Sequence, residues 1–171
     1  MTPSSRSPGV AGRLTSAFRR LLAPRRSAGA PVTPVPDGPV YPGDYDGPLQ
    51  PAYAPQPDGQ PDPGEIVWTW VPYEEDHSQG KDRPVLLVGR DGPWLLALQL
   101  TSKDHDGRPP RPGGPQWVDI GAGPWDRQRR PSEVRVDRVI RVSPDAVRRE
   151  GAVLGRERFD LVAAAVRDAK G

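Results

Sequence analysis

The chain contains no cysteine, which excludes a disulfide framework and any zinc–thiolate site and suits a reducing cytoplasm. No apolar run approaches the roughly 18–20 residues that a membrane-spanning helix needs. Lysine is scarce as well: three residues against 21 arginines in a chain of 171, an imbalance in keeping with GC-rich bacterial coding. No internal repeat is visible. Charge of one sign is missing from two blocks in succession. Residues 1–30 hold six arginines and no acid, and residues 31–63 hold five aspartates and no basic residue. Like-charge blocks of this kind mark solvated tails rather than packed structure. The remaining 64–171 are close to neutral, with 18 basic and 17 acidic residues.

Proline is abundant where charge is one-sided. Fourteen of the 24 prolines fall in residues 1–63, and the stretch from Pro31 to Pro63 lacks the apolar mass to offset the entropy of ordering it. It is expected to be a disordered linker. Its aspartates, with Tyr41, Tyr45, Leu49 and Tyr53 among them, fit either an inert spacer or a segment that lies over a basic groove. Before it, Leu14, Phe18, Leu21 and Leu22 share one helical face amid arginines. That pattern suits a transient helix in a tail, or a short surface helix touching acidic lipid or nucleic acid.

From Gly64 the texture becomes that of strands. GEIVWTWV alternates, with Ile66, Trp68 and Trp70 on one face and Val67, Thr69 and Val71 on the other. PVLLVGR reads as a strand buried on both faces, Asp91-Gly92-Pro93 as a turn, and WLLALQLTS as its hairpin partner. A loop rich in Pro and Gly covers roughly 103–116. WVDIG, SEVRV and RVIRVS are short strands. Phe159, Val162, Ala163 and Val166 recur at helical spacing, predicting an amphipathic helix over about 156–169. Short strands with one terminal helix predict a mainly β fold, a small curved barrel.

Four blocks in order carry more than architecture: PGEIVWTWVP, SQGKDRPVLLV, LQLTS and PSEVRVDRVIRV. Together they resemble the MazF/PemK (Kid-like) family of toxin–antitoxin ribonucleases over residues 64–171, with nothing of that family in residues 1–63. The resemblance implies an SH3-like barrel, a homodimer, and an endoribonuclease that cuts single-stranded RNA at short sequence motifs with neither metal nor other cofactor. It also implies an antitoxin partner whose flexible, acidic and apolar tail covers the RNA groove.

Metal-free cleavage starts from attack of the 2′-hydroxyl on its own phosphate, so it needs a base, stabilisation of the crowded phosphorane and an acid for the leaving 5′-oxygen. The resemblance maps two catalytic positions onto Arg83, at the mouth of its strand, and Thr101. Arginine does not give up its proton, and its planar fork suits clamping phosphate. Where some members carry a glutamate as candidate base, this chain has Ser78. Glu74, Glu75, Asp76 and His77 lie just upstream, and His77 is the natural replacement because imidazole titrates near neutrality. Loss of the usual acid also leaves open a catalytically silent barrel that binds protein or RNA through the same groove. Lys81, Ser102, Lys103 and Arg138 are the expected RNA contacts. Arg138 breaks the Val134/Val136 alternation, so either the strand bends there or the arginine is held at an interface. KDHDG, with His105 between two aspartates, has no convergent ligand spacing and reads as a solvated turn. Trp125 fits a core or rim position, or a platform for a base.

Overall fold

The computed structural model describes residues 33–34, 38–105 and 111–171. The basic block, with its Leu14/Phe18/Leu21/Leu22 face, lies outside the described residues. Eight strands form an antiparallel half-barrel: β1 (Thr33–Pro34), β2 (Glu65–Pro72), β3 (Gln79–Asp91), β4 (Trp94–Thr101), β5 (Trp117–Gly121), β6 (Ser132–Arg135), β7 (Ile140–Val142) and β8 (Arg149–Val153). They run β5-β6-β4-β3-β2-β8 across the sheet, while β1 pairs with β3 and β7 with β4. Among the described residues one α-helix, α1 (Arg156–Lys170), follows. The chain is therefore mainly β with a C-terminal helix, as its alternating patterns predict.

Alternation along the central strands makes two cores. Ile66, Leu86, Leu96, Leu98, Leu100, Val134 and Val136 face α1, whose Phe159, Val162, Ala163 and Val166 close over them. Val67, Val71, Val85, Leu87, Leu95, Ala97, Ile140 and Val142 form the second cluster on the other face. Each such side chain contributes about 1.5–3 kcal/mol on burial, which is why β3 and β4 read as unbroken apolar runs. The β3–β4 hairpin turns at Gly92 and Pro93, with Asp91 opposite Trp94.

Two departures from the predicted strands matter. First, β3 begins at Gln79, so Arg83 lies inside the strand and not at its mouth. Charged Lys81, Asp82 and Arg83 can sit in a ladder there because β2 pairs with them through Val71, Trp70 and Thr69. β4 pairs with β3 only from Val85 onward, so the missing N–H of Pro84 breaks no rung on that side. Second, β8 was not expected: its sequence, REGAV, has no apolar alternation, and its strand character comes from the edge of β2, which it meets across a register shift at Ile66/Val67.

Residues 38–63 also depart from the expected disordered linker. They form neither helix nor strand, as their prolines dictate, yet they lie along the barrel as a strap. Tyr45 N–H donates to Val139 O at 2.8 Å and Ala52 N–H to Val88 O at 2.8 Å. Val88 is the residue left unpaired by the bulge between Leu87 and Gly89, so the strap completes a broken ladder. Tyr45, Leu49 and Tyr53 pack on the core that faces α1. The Tyr53 hydroxyl donates to Leu154 O at 2.9 Å, and its ring meets Phe159 edge-on at 5.0 Å. Gly64 ends the strap at φ +102°, and a β-carbon there would lie 2.8 Å from the Tyr53 ring. Composition suggests disorder because the segment has no core of its own; it borrows the barrel's.

The front of the strap is held by charge. Asp44 accepts from Arg138 Nε at 2.7 Å and Nη2 at 3.1 Å and from the Tyr41 hydroxyl at 2.5 Å. Burial works to raise the Asp44 carboxyl, but the hydrogen bonds from Arg138 and Tyr41, with the Arg138 charge, outweigh it and leave the pKa below the ordinary carboxylate value. A carboxylate with a depressed folded-state pKa adds stability above its unfolded pKa and loses it as pH falls through the folded value. Asp44→Ala strands a buried guanidinium and is expected to cost about 3–5 kcal/mol at pH 7. In thermal melts the gap from wild type should be widest at neutral pH and close as pH drops below about 3–4; a gap that stays constant into acid would contradict the charge argument.

Candidate functional site

The site begins where two strands part. Val85 pairs with Gln99 in the last rung between β3 and β4. Beyond it Leu100 and Thr101 pair with Val134 and Glu133 of β6, which flanks β4 on the edge away from β3. Continuing the β3–β4 register by two residues sets Arg83 across from Thr101, on either side of the opening. Thr69 of β2 faces Arg83 directly, and Asp119 of β5 faces Glu133. Side chains opposite one another project from the same face, so Thr69, Arg83, Thr101, Glu133 and Asp119 make one polar row across five strands. Lys81 and Arg135 extend it by period-two alternation, with Trp117 opposite Arg135. The row continues the face of the second core, while Tyr45, Leu49 and Tyr53 of the strap pack on the other cluster. Those anchors therefore do not lie over this row.

Arg83 is half-buried, and among the described residues no carboxylate pairs with it. Burial first, and then the nearby Arg138 charge, lower its pKa, with Tyr73 offsetting in part. Burial and the Arg83 charge lower Lys81 likewise. Two cations uncompensated at close quarters suit an anion. Thr101 Oγ1 accepts the Lys103 N–H at 3.1 Å, which leaves the hydroxyl hydrogen free to donate outward. Ser102 and Lys103 are exposed in the turn that follows.

Other expected site residues are placed differently. Arg138 is not an open RNA contact. The chain leaves β6 and bends at Asp137, and the guanidinium is buried on Asp44 and Pro72 O, the latter at 3.0 Å. Of the alternatives its position raised, the bend is the one seen. His77 sits two residues before β3, whereas Arg83 lies four steps into it, about 13 Å along an extended strand. Its ring meets the edge of Tyr41 at 5.0 Å, and Nε2 is 3.8 Å from Asp44 Oδ1. Trp125 is in the core, its indole N–H on Ser132 Oγ at 3.0 Å.

Sequence reasoning did not place two groups. Arg135 is buried between Asp137, at 2.8 Å from Nη2, and Glu74, at 2.8 Å from Nη1. Burial opposes the Arg135 charge, but the two carboxylates raise its pKa overall. The only hint was an arginine between apolar residues of a short strand. His105 is no solvated turn residue: its ring stacks on Trp117 at 4.4 Å and 3°, and Nδ1 lies 2.6 Å from Glu133 Oε2. Twenty-eight residues separate those partners, so local spacing could not reveal them.

A half-barrel of antiparallel strands with a C-terminal helix is what the four sequence blocks led us to expect. The family model for the PemK-like, MazF-like toxin of type II toxin–antitoxin systems matches residues 62–169. The chain belongs to that family. A search of curated proteins found no match. Members of the PemK/MazF family are generally endoribonucleases that work opposite an antitoxin. Among the described residues of this PemK-like chain, no helix is long and apolar enough to cross a membrane.

Arg83 carries a burial penalty that no carboxylate among the described residues offsets. Arg83→Met, which keeps the stem and removes the charge, is expected to hold or raise the melting temperature. A fall of several degrees would identify Arg83 as a structural cation instead.

Proposed function

We propose that the chain is an endoribonuclease toxin that cuts single-stranded RNA, mRNA included, at short sequence motifs by attack of the 2′-hydroxyl, with no metal or cofactor. The observation that carries this reading is the position of Arg83 and Thr101, two residues past the last β3–β4 rung on either strand. A phosphate lying in that opening meets a rigid, permanently charged fork on one side and a free hydroxyl donor on the other. As the 2′-oxygen closes on phosphorus, charge accumulates on the non-bridging oxygens, and Arg83 stabilises it. Thr101 donates to one of those oxygens. Lys81, Ser102 and Lys103 hold the flanking backbone. The products are a 2′,3′-cyclic phosphate and a free 5′-hydroxyl.

The expected partners follow from the same charges. An antitoxin with an acidic, flexible tail competes for Lys81 and Arg83, a second copy of the chain makes a homodimer, and the reaction belongs in the cytoplasm where mRNA is translated. His77 is the base expected from sequence. Serving the row would require it to leave Tyr41 and Asp44, so His77→Ala is expected to keep the acidic limb of the pH–rate profile.

The direct test incubates the purified chain with a long unstructured RNA in EDTA and maps the ends. Discrete cuts bearing cyclic phosphate are expected. Shifted but intact RNA would mean a silent barrel that binds through the same groove. Arg83→Ala should lower kcat/KM about 10²–10³-fold, and Arg83→Lys should recover little of it because a point charge does not reproduce the fork. Wild-type rates in Arg83→Ala would remove the arginine from the mechanism.

A further inference from the structure

The polar row holds an imidazole that the sequence hides. His105 follows β4 by four residues, and its loop folds back so that Glu133 receives it twice. The His105 backbone N–H donates to Glu133 Oε1 at 3.1 Å, and the ring nitrogen Nδ1 lies 2.6 Å from Oε2. The Glu133 side chain is only 9% exposed, and that of His105 18%. An ionised carboxylate only accepts, so in the neutral imidazole Nδ1 carries the hydrogen and Nε2 the lone pair. Trp117 fixes the ring plane by stacking at 4.4 Å. Orientation, tautomer and position are thus all set, which solvated loop histidines lack.

Glu133 is also the cross-strand neighbour of Thr101. Opposite residues in an antiparallel pair lie about 4.5–5.5 Å apart at Cα, so the imidazole is one side chain away from the residue that faces Arg83. From this placement we propose that His105 is the general base of the cleavage reaction and that Glu133 is its positioning residue. The inference rests on the nuclease reading above and assigns the one role that reading leaves open. His105 Nε2 takes the proton of the 2′-hydroxyl as the 2′-oxygen–phosphorus bond forms. The phosphorus–5′-oxygen bond breaks, water protonates the departing 5′-oxygen, and the imidazolium returns its proton to solvent. No co-reactant is needed.

Among the described residues, the charged groups on the elements next to His105 are Glu133 and Arg135 of β6, Asp119 of β5, and Lys103 and Asp104 in its own loop. Arg135 is neutralised by Asp137 and Glu74. Trp117 contributes no charge.

The test measures cleavage of one defined RNA in EDTA between pH 5 and 9. Wild type should show a rate that rises with pH through a single acidic limb. His105→Ala should lower kcat about 10²–10⁴-fold and flatten that limb, with KM little changed. Added imidazole should restore part of the rate, because the site beside Trp117 then admits a free base. Glu133→Gln keeps the shape but lets either ring nitrogen carry the hydrogen, and should lower kcat about 10–100-fold at constant KM. His105→Asn serves as the second variant if the alanine protein melts early. A folded His105 variant that cuts at the wild-type rate with the limb intact overturns this inference and leaves the nuclease reading standing. So does an imidazole-insensitive loss of RNA binding, which would make His105 a docking residue. Wild-type protein that leaves the RNA whole overturns both.

Discussion

Everything at the candidate site depends on where β3 and β4 stop pairing. While they are paired, both strands carry apolar side chains on both faces. At Gln99 that pairing stops, while β4 keeps β6 on its other edge through Thr101. Arg83 and Thr101 lie just past the last rung. Pro84 belongs to the same device, since it cannot donate the N–H that would zip the strands one step further. The polar row is therefore a product of sheet geometry, and it lies where the hydrophobic ladder runs out.

Charge on this row is managed unevenly. Arg135 and Arg138 are buried and matched by carboxylates at hydrogen-bond distance, as buried cations must be. Among the described residues Arg83 and Lys81 bear desolvation without such matching. The contrast separates arginines that hold the fold from cations with no carboxylate beside them among those residues. Sequence alone treats them alike: all four precede or interrupt short strands, and nothing local tells which will meet a carboxylate from elsewhere in the chain.

Period-two alternation made β2, the β3–β4 hairpin, β6 and the helix legible, because burial on defined faces leaves a mark on every second or every third and fourth residue. Arg83 and Thr101 were legible through the blocks they belong to. What stayed hidden has a common cause: long-range pairing. β8 borrows its order from β2, the strap borrows its core from the barrel, and His105 is held in place only when Glu133 and Trp117 arrive from other strands. Disorder inferred from proline and aspartate failed over residues 38–63 because composition measures what a segment can bury by itself, not what it can be laid against.

The strap also changes what a single peptide-bond cleavage would do to this molecule. Residues 56–60 are fully exposed between the Tyr53 anchor and the start of β2, and exposed tips of this kind are where proteases act. A cut there removes no packed residue. It does convert the strap from a tethered segment, always present at the high local concentration that tethering confers, into a separate peptide that dilution can carry away. Departure would bare the apolar seam beneath Tyr45, Leu49 and Tyr53, and contiguous apolar surface of that kind attracts other chains. A nick far from the polar row would thus be felt first as self-association of the barrel.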